Sequence, residues 1–218
     1  MKKLCIGIVS VLLMTVLLVP TSSKAAKGFL LGLGVGAGIP SDSNGIGGTD
    51  VKTGVASYLD IGYGFNKYFT AGGYFGSGEG TQKSYDTSIT WYQPYFGAYG
   101  RFTLPVGDSL EPYANIGLGA YMFSAAGGDI VMYSKSPTFG LKFGGGLNWF
   151  LGKDKKWFIG PELAYQYVPY DQNFRVAYSG VSKDQLQHAG YPGSFDIKMK
   201  DNANVFEVLF KFGYQWKK

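Results

Sequence analysis

The chain has 218 residues, enough for one domain, with 34 Gly, 17 Tyr and 16 Phe but only 16% charged residues. Its formal charge of +5 falls to +2 (17 basic against 15 acidic residues) once Lys2, Lys3 and Lys24 of a leader segment are removed, which gives no basis for nucleic-acid binding. The one cysteine, Cys5, also lies in the leader, so the processed chain is expected to have no disulfide and no thiol chemistry.

The leader comes first. Lys2 and Lys3 precede an apolar run from Leu4 to Val19, then Pro20 and Ser23-Lys24-Ala25. A basic start, an apolar stretch and a small-x-small site predict a cleaved signal peptide over 1–25 and a single domain over 26–218. The apolar run is short for a membrane helix, which needs about 20 residues.

Strict alternation follows. Phe29, Leu31, Leu33, Val35 and Ala37 alternate with Leu30 and Gly32, Gly34, Gly36 and Gly38. Val55, Ser57, Leu59, Ile61 and Tyr63 alternate with Ala56, Tyr58, Asp60 and Gly62. Residues 69–75 form a third strand whose glycines leave its phase open. In the fourth, Pro94, Phe96, Ala98 and Phe102 oppose Gln93, Tyr95, Tyr99 and Arg101. The fifth sets Pro112, Ala114, Ile116 and Leu118 against Tyr113, Asn115, Gly117 and Gly119. The sixth sets Phe139, Leu141 and Phe143 against Lys142 and Gly144, and the seventh sets Ile159, Pro161 and Leu163 against Gly160, Glu162 and Gln166. The last strand places Phe206, Val208, Phe210, Phe212, Tyr214 and Trp216 on one face and Glu207, Leu209, Lys211, Gly213 and Gln215 on the other. A period of two is a β-strand. A large apolar face opposite a small or polar one suits a strand with lipid outside and a polar lumen inside. A mean hydropathy of −0.01 is compatible with this, because alternation dilutes hydropathy.

The connections sort by length. Residues 64–68, 104–109 and 152–156 are short; Ile39 to Lys52, Gly76 to Thr87, Ala125 to Ser136 and Val168 to Ala203 are long, and the two kinds alternate. Membrane barrels have short turns on the periplasmic side and long loops outside. The fold expected is all-β: a closed, antiparallel, up-and-down transmembrane barrel of about eight strands. Closure is required because an unpaired strand edge in lipid leaves backbone groups unsatisfied at several kcal/mol each.

With Gly64-Phe-Asn-Lys-Tyr-Phe69, Pro112-Tyr-Ala-Asn-Ile-Gly-Leu-Gly119 and the aromatic final strand, the chain resembles the small outer-membrane β-barrel family of the OmpA transmembrane-domain and OmpX type. In that family the assembly signal usually ends on Phe, whereas here Trp216 is followed by Lys217 and Lys218. The resemblance implies the outer membrane of a Gram-negative-type bacterium, with both termini periplasmic. The partners it implies are outer-membrane lipid and lipopolysaccharide, and the barrel-assembly machinery through the C-terminal strand. No extracellular ligand is named by the sequence, although the connection over 168–203 is expected outside the cell and open to protease at Arg175 or Lys183.

Six ionisable residues fall on the inner face: Asp60, Arg101, Lys142, Glu162, Glu207 and Lys211. Buried charges are costly unless paired. The six therefore read as an ion-pair network plugging the lumen, or as a gate in a narrow pore. Lys142 is expected to pair with Glu162, from the adjoining sixth and seventh strands. Gly32-Leu-Gly34-Val-Gly36-Ala37 matches a dinucleotide fingerprint in letters, but Pro40 stands where a helix should open. His188 is the only histidine, and one ligand cannot hold zinc. With Ser182 it makes no convincing catalytic pair, and Lys153-Asp-Lys-Lys156 reads as a solvated turn. Catalytic residues, a cofactor and a metal are not expected. The function expected is a non-enzymatic surface barrel serving envelope structure, adhesion or ligand interaction. A narrow porin-like diffusion channel is the alternative, and a lipid-modifying enzyme the remote one.

Overall fold

The computed structural model describes residues 28–40, 52–84, 87–178, 181–190 and 192–216. The leader, with its expected cut after Ala25, lies outside the described residues, as do Lys217 and Lys218. Among the described residues, twelve strands and one helix follow in chain order: β1 (Gly28–Pro40), β2 (Gly54–Gly64), β3 (Phe69–Ser84), β4 (Thr87–Thr103), β5 (Leu110–Tyr121), β6 (Ser124–Gly127), β7 (Ile130–Ser134), β8 (Thr138–Leu151), β9 (Trp157–Tyr167), β10 (Pro169–Tyr178), α1 (Val181–His188), β11 (Ser194–Asn202) and β12 (Val205–Gln215).

Eight strands close into an antiparallel barrel in the order β1-β2-β3-β4-β5-β8-β9-β12. The seam is a full ladder in which β1 pairs with β12 from Leu30↔Gln215 to Pro40↔Val205. Each of the seven barrel strands given a phase by its alternation keeps it. Phe29, Val35, Ile61, Phe96, Leu118, Phe143, Leu163 and Phe210 point outward and are exposed, while their neighbours in sequence turn in. The glycines of β3 leave Thr70 and Tyr74 inside and Phe69 and Phe75 outside. At one end the connections are tight. Asn66 Oδ1 accepts from the backbone N–H of Tyr68 at 2.7 Å and of Phe69 at 2.9 Å, a turn its short side chain favours. Gly107 and Gly152, at φ +63° and +74°, occupy the left-handed region in the other two turns.

At the other end the long connections are largely not loops. β3 and β4, of 16 and 17 residues, exceed the ~9–11 that cross a bilayer and rise beyond it. The stretch expected as a loop from Gly76 to Thr87 is thus mostly strand, with 85–86 outside the described residues. The stretch from Ala125 to Ser136 holds most of the β6–β7 hairpin, and that from Val168 to Ala203 holds β10, α1 and β11. β6 pairs with β4 and β7, and β10 with β7 and β11, so the wall continues upward as a raised sheet. The reason is that the inward apolar phase does not stop at the barrel rim: Val168, Tyr170, Phe174 and Val176 carry it on, and all are buried. Of the connection from Ile39 to Lys52, Ile39 and Pro40 belong to β1, and 41–51 lie outside the described residues.

Candidate functional site

The inner face is where charge collects. Asp60 stands on β2, Arg101 on β4, Lys142 on β8, Glu162 on β9, and Glu207 and Lys211 on β12; each is at most 5% exposed. All six meet in one lumen. Asp60 Oδ2 accepts from Arg101 Nη2 at 2.6 Å and from Lys211 Nζ at 2.9 Å. Lys211 Nζ also lies 3.8 Å from Glu162. Lys142 Nζ donates to Glu207 at 2.7 Å. Three acids and three bases thus form two neutralised groups rather than a ring of one sign.

The expected Lys142–Glu162 pair is corrected by this geometry. β8 and β9 do adjoin, but their register sets Lys142 against Gln166 and Glu162 against Gly146. Four residues of strand, roughly 13 Å, separate the two along the wall. Glu207 lies one strand further around but nearer in height, since Gln166 pairs with Val205, only two residues from it. The reach of the lysine across the lumen then decides.

Tyrosines complete the site; the alternation placed them on the inner face but gave them no role. Tyr58 and Tyr113 both donate their hydroxyls to Glu162. Tyr95 donates to Glu207 at 2.9 Å, and Gln166 Nε2 donates to the same carboxylate at 2.7 Å. Arg101 lies between two rings, 5.0 Å from Tyr99 and 4.5 Å from Tyr113. Lys142 sits 4.3 Å above the ring of Tyr58. These contacts stabilise a cation where water is excluded. Their signal in the sequence was present: each shares the lumen phase of the charges. Two glycines make the room. A Cβ on Gly32 would come within 2.1 Å of Asp60 Oδ1, and one on Gly34 within 2.5 Å of the Tyr58 ring. The fingerprint-like glycines are therefore lumen-facing strand positions, which excludes the dinucleotide reading.

Above and below the network the lumen is apolar. Toward the raised sheet, Tyr121, Trp91, Phe123, Tyr170 and Phe174 form a buried cluster. At the short-turn end, Leu30, Phe150 and Phe158 pack together, the two rings 5.7 Å apart. Phe158 occupies the space beside Gly213, where a Cβ would approach its ring to 2.2 Å. Among the charges a cavity of about 20 Å³ remains, lined by Asp60, Arg101, Asn115, Lys142 and Glu162 with Tyr74 and Tyr99. That is room for about one water. Among the described residues Arg101 Nε and Nη1 have no protein acceptor there.

The remaining candidates stay apart. His188 is exposed as the last residue of α1, and Ser182 lies six positions earlier, a spacing that does not make neighbours on a helix. Among the described residues no three His, Cys, Asp or Glu are placed to hold a metal. Lys153 and Asp154 are exposed in the short turn.

The model of the outer membrane protein beta-barrel domain family matches residues 9–189 of the chain. No curated protein matches its sequence significantly. Among solved structures, neisserial surface protein A superposes with a TM-score of 0.60 at 13% identity, covering 88% of this chain and all of the other. OprG from Pseudomonas aeruginosa gives 0.57 at 14% identity over 90% and 99% of the two chains. A major outer membrane protein from Thermus thermophilus gives 0.57 at 13% over 88% and 100%. At such identities the likeness is one of fold. With a closed eight-stranded barrel, an apolar outer wall and a family match over most of its length, the chain belongs to the outer membrane protein β-barrel domain family and is a protein of the outer membrane.

Proposed function

We propose that this protein is a non-conducting, non-enzymatic surface barrel whose raised sheet serves adhesion or ligand interaction outside the cell. The observation that carries the reading is the filled lumen. Leu30, Phe150 and Phe158 seal one end, the six charges and their tyrosines fill the middle, and the cluster around Trp91 and Phe174 seals the other. A diffusion path needs continuous water, and a 20 Å³ cavity among paired charges is not one. The barrel then acts as an anchor. The short turns, with both termini, face the periplasm, and the strands rising past the bilayer stand outside. Exposed Ile130, Tyr133 and Phe195 on the raised sheet offer apolar contact surface to a partner. A catalytic role is disfavoured because the buried ionisable groups are out of reach of substrate.

Single-channel recording in planar bilayers tests this. The wild-type protein is expected to show no steady conductance steps. Reproducible steps would favour the narrow channel and sink the plug. For the enzymatic alternative, His188→Ala is expected to leave the lipid A profile of expressing cells unchanged.

A further inference from the structure

The lumen holds more phenol than its ion pairs require. Lysine and arginine already neutralise the three carboxylates, yet two of those carboxylates also accept from tyrosine. Tyr58 and Tyr113 donate to Glu162, and Tyr95 donates to Glu207 at 2.9 Å. All three phenols are at most 6% exposed. A phenol bonded to a carboxylate where water is excluded is set up for one-electron oxidation. The neutral phenol keeps its proton and donates the bond. Once it has lost an electron it is a strong acid, and the proton passes along that bond to the carboxylate. The neutral radical left behind has no further proton to lose, and the sealed wall keeps it from coupling with a second radical.

A route for the electron is also present. The Tyr95 ring lies 5.9 Å from that of Tyr74 and 5.4 Å from that of Tyr121, and with Tyr58 and Trp91 these rings belong to one buried cluster. Trp91 is followed in β4 by Tyr92, which faces outward and is exposed. The period of two thus sets an oxidisable ring on each side of the wall at adjacent positions. A substrate cannot enter the filled lumen, but an electron tunnels between aromatic groups at such separations without any opening.

We propose that the lumen tyrosines store one oxidising equivalent drawn from the surrounding membrane, held as a neutral radical on Tyr58, Tyr95 or Tyr113. The oxidant is a one-electron acceptor that meets the wall, of the class of lipid peroxyl radicals. It takes an electron by way of Tyr92 and Trp91 and a proton from interfacial water, and becomes a hydroperoxide. The lumen tyrosine supplies that electron. Its phenolic O–H bond breaks, and the proton forms a new O–H bond on Glu207 or Glu162. The positive charge that remains is carried by the base beside that carboxylate. For Glu207 this is Lys142, whose Nζ lies 2.7 Å from it, 4.3 Å from the Tyr58 ring and 5.0 Å from the Tyr95 ring. For Glu162 it is Lys211, at 3.8 Å. Aromatic faces stabilise such a cation away from water.

The test uses the full processed protein in micelles, oxidised by photogenerated tris-bipyridine ruthenium(III) and frozen for electron paramagnetic resonance at intervals after the light is turned off. A neutral tyrosyl signal is expected to outlast the illumination by minutes. Y58F/Y95F/Y113F should lose that signal, and Tyr170→Phe, whose hydroxyl accepts from Gln93 at 3.3 Å, should keep it. Heat-modifiable mobility on a gel shows whether each variant has folded. A readout on the wild type does not depend on the variants. After incubation in deuterium oxide, electron–nuclear double resonance should find a proton bonded to the radical oxygen that has not exchanged, as protection inside a closed wall requires. A persistent signal in the folded triple variant would place the radical elsewhere and overturn the proposal. So would its loss in Tyr170→Phe, its decay with the light, or a bonded proton fully replaced by deuterium.

Discussion

Replacing Lys142 with Met removes a cation from a place where its partner cannot follow it into water. Lys142 Nζ lies 2.7 Å from Glu207, which is 1% exposed. After the change Glu207 keeps only the neutral donors Tyr95 at 2.9 Å and Gln166 at 2.7 Å. Stranding one member of a buried pair costs about 3–5 kcal/mol. The two remaining donors hold the cost near the lower figure, about 3 kcal/mol, or roughly two orders of magnitude in the unfolding equilibrium. Urea unfolding in micelles, followed by tryptophan fluorescence, measures it. Lys142→Met with Glu207→Gln should recover much of the loss, because no uncompensated charge remains. The matching cycle between Lys142 and Glu162, which both contact Tyr58 but do not pair, should show distinctly weaker coupling than that between Lys142 and Glu207. If Lys142→Met alone changed stability by less than about 1 kcal/mol, the claim that these charges are buried and paired would fail. Strong coupling to Glu162 with none to Glu207 would refute the pairing read from the register.

Gly32→Val should destabilise the barrel by about 1–3 kcal/mol, as overpacking does, because its Cβ would press on Asp60 Oδ1 and Lys211 Cε; an unchanged midpoint would mean that the pair moves aside freely. Trypsin added to intact cells is expected to cut after Lys183 in the α1 connection and to spare both Lys153 and Arg175. Arg175 belongs to β10, which is paired on both sides by β7 and β11, so the cleavage first expected there is withdrawn. Cutting at Lys153 on intact cells would invert the topology. On the raised sheet, hydrogen bonds from Lys135 at 2.8 Å and Arg175 at 3.1 Å hold the Asp196 carboxyl below its usual range. A depressed carboxylate contributes stability above its unfolded value of about 3.9 and loses it as pH falls through the lower folded value. An NMR titration should therefore find Asp196 with a midpoint below that of an unfolded-state aspartate, and Lys135→Ala should raise it. A wild-type midpoint at the free-aspartate value would show that these bonds do not persist in solution.

The anchor and the exposed sheet divide the molecule by what surrounds each part. In the bilayer, β1 and β12 must pair along their whole length, because lipid offers no alternative to a backbone group. Above it, β11 ends the raised sheet, paired among the described residues to β10 alone, which water permits. The raised sheet is thus held by its own inward residues, Tyr170 and Phe174 packing on Phe123, rather than by closure.

Which residues face the lumen was legible from the sequence, because side-chain direction in a strand is a local property with a period of two. That rule alone placed Asp60, Arg101, Lys142, Glu162, Glu207 and Lys211 inside and the row from Phe206 to Trp216 outside. Closure followed from the same alternation and from the chemistry of lipid. Which charge meets which was not legible, because partnership depends on the stagger of strands remote in sequence. It took the register of Lys142 against Gln166, and of Gln166 against Val205, to bring Glu207 rather than Glu162 within reach. The long connections were misread for a related reason. Their alternation is short and broken, at Met122–Phe123, at Val168 and at Ala203–Asn204, and becomes strand only where a neighbouring edge such as β4 supplies hydrogen-bond partners. The apolar seals belong to the same class. Phe150 and Phe158 each follow a tryptophan of opposite phase and meet as direct partners of the β8–β9 ladder, but only closure through β12 and β1 brings Gly213 and Leu30 beside them.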